Sequence, residues 1–293
     1  MLTILFDGIA YGMLLFILAV GLSVTMGLMN FINLAHGAFA MLGGYLTVFL
    51  MQKMGVPFLL CLPLAFLASA LLGGVLERTL YRPLYHKPHL DQVLFSIGLT
   101  FMAVATADYF LGSSQQIIQL PEWLKGRTEI DVTGSGAWVL GMGHYRLFII
   151  AVCAVLTVAL QYVLTKTRFG SRLRASVDDQ RVAAGLGINV NVIFLGTFAV
   201  GSGLAGLGGA LGAEVLGLDP TFPLKFMIYF LIVVAVGGTS SITGPLLAAL
   251  LLGIADVAGK YYIPKLGGFI VYSLMILILI WRPQGLFVRR GGK

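Results

Sequence analysis

The chain has 293 residues, of which 58% are hydrophobic and only 11% charged, with a formal net charge of +7. A water-soluble domain carries about 25% charged residues, so this composition excludes a soluble protein and specifies one that lies in a membrane. The basic surplus has no interleaved aromatic patch for stacking bases; it argues against nucleic acid and fits loops retained on the cytoplasmic side of a bilayer.

The apolar runs are about 20 residues long and do not alternate, so helices rather than a barrel satisfy the backbone. Nine runs are expected, at 6–27, 33–51, 56–76, 92–112, 146–164, 191–212, 224–239, 244–258 and 267–281. The fold class is all-α and polytopic, with eight to ten transmembrane helices in one domain over 1–293. The first charge is Asp7 and the first run has no small-residue cleavage site, so that run reads as a retained span.

Between the first two runs stands "MGLMNFINLAHGAFAMLGGY", residues 26–45. On a helix, the three-residue steps from Asn30 to Asn33 to His36 would keep these side chains within about 120° of one another. Polar groups at membrane depth are costly unless they bond to neighbours or line a wet path. Both roles stay open: bonds between helices, or the lining of a substrate path. Gly37, Gly43 and Gly44 follow and allow close backbone approach or a break.

Further along, the segment 77–91 carries Arg78, Arg82 and Lys87. Glu77 lies at an inner end, and Asp108 and Asp256 near outer ends where water reaches them. No carboxylate falls clearly at mid-span, which argues against a proton-coupled carrier. Cys61 and Cys153 sit inside apolar runs, away from any disulfide or metal pattern. His86, His89 and His144 fall in loops and read as ordinary surface residues. The stretch 113–144, with Glu122, Glu129 and Asp131, is long enough for a small external helix or hairpin. It is either a docking surface or a solvated linker.

"TKTRFGSRLRASVDDQRVAAGLGIN", residues 165–189, is too polar to span and too patterned for a plain loop. Ser171 can cap a short helix from Arg172, Asp178 a second from Asp179, and Gly185 or Gly187 can end it. Val182 and Leu186 would lie on one side of that second helix, Asp179 and Gln180 on the other. The element either offers a knob to a partner or rests at the lipid headgroups. Two late stretches are rich in glycine. "GSGLAGLGGALG" (201–212) reads as tight helix packing. "AVGGTSSITGPLLAALLLG" (235–253) is a second polar break, with Gly237 and Gly238 before Thr239, Ser240 and Ser241. Two breaks in two halves hint at an internal duplication around a central path.

Lysine and arginine set the orientation. With Lys166, Arg168, Arg172, Arg174 and Arg181 inside, alternation also puts 77–91 and the tail with Arg282, Arg289, Arg290 and Lys293 inside. Seven of the nineteen basic residues remain outside. The N-terminus then faces outward and the C-terminus the cytoplasm. No G-x-x-x-x-G-K-[ST], H-E-x-x-H or C-x-x-C occurs, and no nucleophile–base set can be named. No enzyme and no cofactor are expected; if the chain pumps, another chain binds the ATP.

Four stretches together, "GLMNFINLAHGAFAMLGGY", "TRFGSRLRASVDDQRVAAGLGINVN", "VVAVGGTSSITGPLLAALLLGI" and "WRPQGLF", resemble the permease subunits of bacterial branched-chain amino acid ABC importers, most of all the shorter H-type permease. The resemblance runs over nearly the whole chain, in order. It implies a permease of the inner membrane that pairs with a second, related permease as a heterodimer. Two cytoplasmic ATP-binding subunits would drive the pair, and a periplasmic binding protein would deliver substrate. It implies that 165–190 is the coupling element on an ATPase, through Arg174, Ala175, Asp178, Asp179, Ala183 and Gly187. It does not fix the substrate: branched-chain amino acids are the default, with urea or short amides as the alternative. A self-sufficient channel for a neutral solute is the competing reading.

Overall fold

Inside a bilayer no water satisfies the backbone, so each crossing segment forms its own hydrogen bonds. A computed structural model describes residues 1–29, 31–85, 87–131, 139–238, 241–282 and 285–286. Among them run α1 (Leu2–Met29), α2 (His36–Met54), α3 (Phe58–Leu76), α4 (His89–Leu111) and α5 (His144–Lys166). The short helices α6 (Arg168–Asp178) and α7 (Gln180–Gly185) follow, then α8 (Val190–Gly212), α9 (Phe222–Gly237), α10 (Thr243–Tyr262) and α11 (Gly267–Trp281). Between α4 and α5 lies an antiparallel hairpin, β1 (Arg127–Asp131) with β2 (Val139–Gly143), pairing Arg127 with Gly143.

All nine expected runs are helices, but they are not equivalent. Seven stretches of the described residues are long and apolar enough to cross a membrane. The other two are α2 and α9. With 16 residues, α9 reaches only about 24 Å, short of the roughly 30 Å hydrocarbon core.

The centre of the bundle is α1 against α8. Of the most apolar window of α1, 83% is buried, against 17% for α4, α5 and α11. Those three helices turn Phe101, Met102, Val155, Val158, Leu277 and Ile280 outward. The glycines of α8 act where helices meet backbone to backbone, as the glycine pattern predicts. A Cβ on Gly209 would overlap the Ala40 carbonyl of α2, and one on Gly206 would overlap Ser69 of α3. A second seam joins α1 to α10: a Cβ on Gly12 would lie 2.7 Å from the Ala249 carbonyl oxygen, and one on Gly8 2.7 Å from the Ile254 Cα. Small residues at such spacings let helices associate where lipid supplies no hydrophobic drive.

The pair α6–α7 follows the expected outline with shifted caps. Thr167, not Ser171, caps α6, its Oγ1 accepting from the Gly170 N–H at 3.4 Å. Ser171 lies inside the helix and donates to the Arg168 carbonyl at 3.0 Å. Asp179, not Asp178, caps α7, accepting from the Arg181 and Val182 N–H groups at 2.8 and 3.0 Å. Asp178 instead ends α6. Gly187, at φ +82°, turns the chain after α7 in a conformation that favours glycine. The loop histidines also move: His89 begins α4 and His144 begins α5, with His144 Nε2 2.8 Å from Thr128 Oγ1 of the hairpin. His86 lies outside the described residues.

The centre predicts its own sensitivity. Gly209→Leu forces apart α8 and α2 and is expected to lower stability by at least about 2 kcal/mol, read as a lower melting temperature and loss of a monodisperse peak in detergent. Gly98→Ala in α4, where a Cβ meets open space, is expected to keep or raise the melting temperature.

Candidate functional site

The chain leaves α1 at Met29, and residues 31–35 are not helical. Asn33 and His36 therefore do not share a face of one helix, as their spacing suggested; Asn30 lies outside the described residues. The reason is on α4. Its Gln92 and Ser96 accept from the Ile32 and Leu34 N–H groups at 3.3 and 3.1 Å, and Thr100 donates to the Leu34 carbonyl at 3.4 Å. A stripe of side chains at i, i+4 and i+8 takes the place of helical hydrogen bonds. The sequence signal for it is that spacing of polar residues in an otherwise apolar helix.

Asn33 Oδ1 accepts from the Ala35 N–H and from the Tyr81 hydroxyl, each at 3.1 Å. His36 Nε2 lies 2.9 Å from the Leu18 carbonyl oxygen, halfway along α1, and its ring meets Phe230 edge-on at 6.3 Å. The first turn of α2 is therefore deep in the bundle. It also meets the first turn of α9: a Cβ on Gly37 would lie 3.0 Å from Pro223 Cα. Two interrupted helices begin against each other, α2 after the link along α4 and α9 after the link 213–221. The second link is tied to the hairpin side by Gln116 N–H donating to the Leu218 carbonyl at 2.7 Å. Gly43 backs onto Gly206, and Gly44 onto Gly209 and Leu218.

At the later break, Gly237 packs on Pro245 and Gly238, at φ +80°, ends α9. Ser241 Oγ accepts from the Gly244 N–H at 3.3 Å, at the start of α10. Thr239 and Ser240 lie outside the described residues.

Of the cavities that α1 lines, two lie toward its opposite ends. The one on the hairpin side has a volume of about 360 Å³ and is lined by Asp7, Tyr11 and Leu14 of α1 with residues of α5, α9 and α10. The other, of about 280 Å³, lies beside α6 and is lined by Ser23, Val24, Gln161, Arg174 and Ser241 among others. Between Leu14 and Ser23, α1 advances about 13 Å, and every side chain from Leu15 to Val20 is at most 1% exposed. His36 and Phe230 pack into this closed zone. Ser241 and Arg174 thus line a cavity wall, whereas Asn33, His36, Gly37, Gly43 and Gly44 line neither cavity.

The hairpin-side cavity holds charges of both signs. Asp256, expected at a water-accessible end, is only 2% exposed; Lys260, one turn on, reaches its carboxylate at 2.6 Å, and the Tyr229 hydroxyl stands 3.5 Å away. Lys260 Nζ also lies 5.7 Å from the Tyr11 ring centre, within cation–π range. Arg146 pairs with Asp7, and Lys225 with Asp219. Burial pushes the Asp219 carboxyl up, but Lys225 and the hydroxyl and N–H of Thr221 outweigh it and hold the group below the usual carboxylate range. Among the described residues, no group of three His, Cys, Asp or Glu side chains could hold a metal.

Residues 4–279 match the family described as "branched-chain amino acid transport system / permease component". Among the curated relatives is the high-affinity branched-chain amino acid transport system permease protein BraD of Pseudomonas aeruginosa, 27% identical over 97% of this chain and 95% of its own. The corresponding permease protein LivH of Escherichia coli is 25% identical over 97% of this chain and 94% of its own. The permease protein LivM of Salmonella typhimurium is 29% identical over 94% and 68%. No solved structure matches.

The polar link gives a second prediction. Tyr81→Phe removes one donor from Asn33 and is expected to cost about 1 kcal/mol. Asn33→Leu strands the Ala35 N–H and the Tyr81 hydroxyl and is expected to cost about twice that or more. Melting temperatures of the purified variants in one detergent check the order.

Proposed function

We propose that this chain, which belongs to the family of branched-chain amino acid transport system permease components, is the membrane-spanning subunit of an ABC importer for branched-chain amino acids. The observation that carries the mechanism is the pair of cavities along α1 with a closed zone between them. A permease that opens to one side at a time needs such a path, and driving it means changing which cavity is open. The closed zone is held by His36 on the Leu18 carbonyl and by the meeting of α2 with α9. Helices interrupted at mid-membrane recur where transporters carry their substrates.

The face with α6 and α7 is the cytoplasmic one on this reading, and the hairpin face is outside, with the N-terminus. The basic residues of 166–181 support that orientation. The family is a transport permease, so no enzymatic step belongs to this chain; hydrolysis is assigned to two ATP-binding partner subunits. A second related permease completes the path, and a binding protein docks on the hairpin face. That family relatives are named as two different permease proteins of one kind of system supports a heterodimer.

Contact with the ATPase runs through α7. Val182 and Leu186 are 58% and 75% exposed, an apolar knob among Asp178, Gln180 and Arg181. Ala183, by contrast, is 1% exposed and holds α7 onto the bundle, and Arg174 donates to the Leu164 carbonyl at the end of α5. Asp179 and Gly187 shape the element rather than touch the partner. A push on the knob is passed to α5 and α8, whose ends it joins.

The test is a pull-down of C-terminally tagged chain in mild detergent. A P-loop ATPase and a second permease are expected in fixed proportion. Leu186→Glu is expected to abolish recovery of the ATPase, with the second permease still recovered, and to cut leucine uptake at least tenfold with the melting temperature of the chain unchanged. A chain that emerges alone and passes neutral solutes through liposomes without ATP would overturn the importer reading.

A further inference from the structure

We infer that the hairpin-side cavity selects zwitterions, by exchanging its own ion pairs for the two charged ends of an amino acid. The inference rests on the importer reading for its ligand and on the cavity for its chemistry. Burying a lone ammonium or carboxylate is costly unless a partner and hydrogen bonds replace water. This cavity offers partners of both signs in an asymmetric arrangement. Its anions are set into the wall, Asp256 with a side chain 2% exposed and Asp7 19%. Its cations stand on long, exposed stems, Arg146 44%, Lys260 55% and Lys225 57% exposed, the last held by Asp219 outside the cavity lining. Asp7 Oδ1 is buried and has no donor among the described residues, although its other oxygen pairs with Arg146.

An arriving ammonium meets the Asp7 and Asp256 carboxylates once Arg146 or Lys260 swings away, and the unpartnered Asp7 Oδ1 leaves that carboxylate with acceptor capacity to spare. A cation released from either carboxylate is free to turn to the arriving carboxylate. The site's net charge does not change in this exchange. A monoanion or a monocation of the same shape leaves one charge uncompensated, and urea gains nothing from either end. Leu14, Ile149 and Phe226 supply the apolar wall for an aliphatic side chain, and about 360 Å³ lies within the range of small-molecule sites. Asp7 and Asp256 are thereby specificity-determining residues, and the cavity favours an amino acid over an amide of similar size.

The membrane complex in nanodiscs, free of binding protein, is melted with L-leucine, with 4-methylpentanoate, which lacks the ammonium, and with 3-methylbutylamine, which lacks the carboxylate. Leucine is expected to raise the melting temperature and the one-ended analogues to leave it in place. Asp7→Asn and Asp256→Asn are expected to raise the leucine concentration for half of that shift at least tenfold. Analogues as effective as leucine, no shift with leucine, or folded Asn variants that match the parent would each overturn the inference. Should the variants fail to fold, the analogue comparison on the unaltered complex decides alone. ATP-dependence of leucine uptake is read in parallel: uptake without ATP removes the importer reading while the melting series still judges the cavity.

Discussion

Side chains are missing where this bundle is tightest, and the rest of its geometry depends on that. Along α8 the backbone of one helix touches the backbones of its neighbours at Gly201, Gly206 and Gly209, and Gly12 does the same for α1 on α10. In lipid, association rests on close packing and interhelical hydrogen bonds, since burial of apolar surface from water gives nothing. Gly12 and the α8 seam hold α1 close on both sides, and the wall between the two cavities is the stretch of α1 that they grip. The cavities lie toward the two ends of that stretch. Rigidity at the centre and room toward both ends are two results of the same contacts.

A second rule governs the buried polar groups. Asn33, Gln92, Ser96 and Thr100 all bond to backbone or to one another around a single irregular link, and His36 bonds to the carbonyl of a helix it faces. Irregular backbone at membrane depth is tolerated only where protein supplies the missing partners. These residues meet that demand. The charges of the hairpin-side cavity do not: Asp256 and Lys260 stabilise no irregular segment, and Asp7 Oδ1 has no donor among the described residues. Polarity that repairs the backbone is thus separable from polarity left over for a ligand.

The helices were legible because twenty-residue apolar runs carry a strong signal, and the glycine stripe of α8 because its spacing leaves few alternatives to close packing. What failed was depth. A periodicity argument assigns Asn33 and His36 to a helix face but cannot show that α4 takes the intervening N–H groups and unwinds the link. Asp256 looked accessible because it lies two turns from the end of α10; its burial comes from Tyr11 and Tyr229, distant in sequence. Ser171 and Asp178 looked like caps because residue type was right while the register was off, by four residues at Thr167 and by one at Asp179. The charged cavity was invisible because four helices contribute to it. The run 224–239 located α9, but its first turn packing on Gly37 of α2 was not legible, because the two lie far apart in sequence.

The burial of α1 also bears on how the chain is made. Of the seven candidate spans α1 is the most enclosed, and its main partners, α8 and α10, follow it by well over a hundred residues. It is synthesised before α8 and α10 exist to enclose it, and its apolar composition lets it wait in contact with lipid. Lipid then has to leave both faces of α1 as α8 and α10 arrive, so assembly closes around an earlier segment rather than adding to its edge. A chain halted before α8 would hold its hairpin face and several stable spans, yet have no centre and no wall between its two sides.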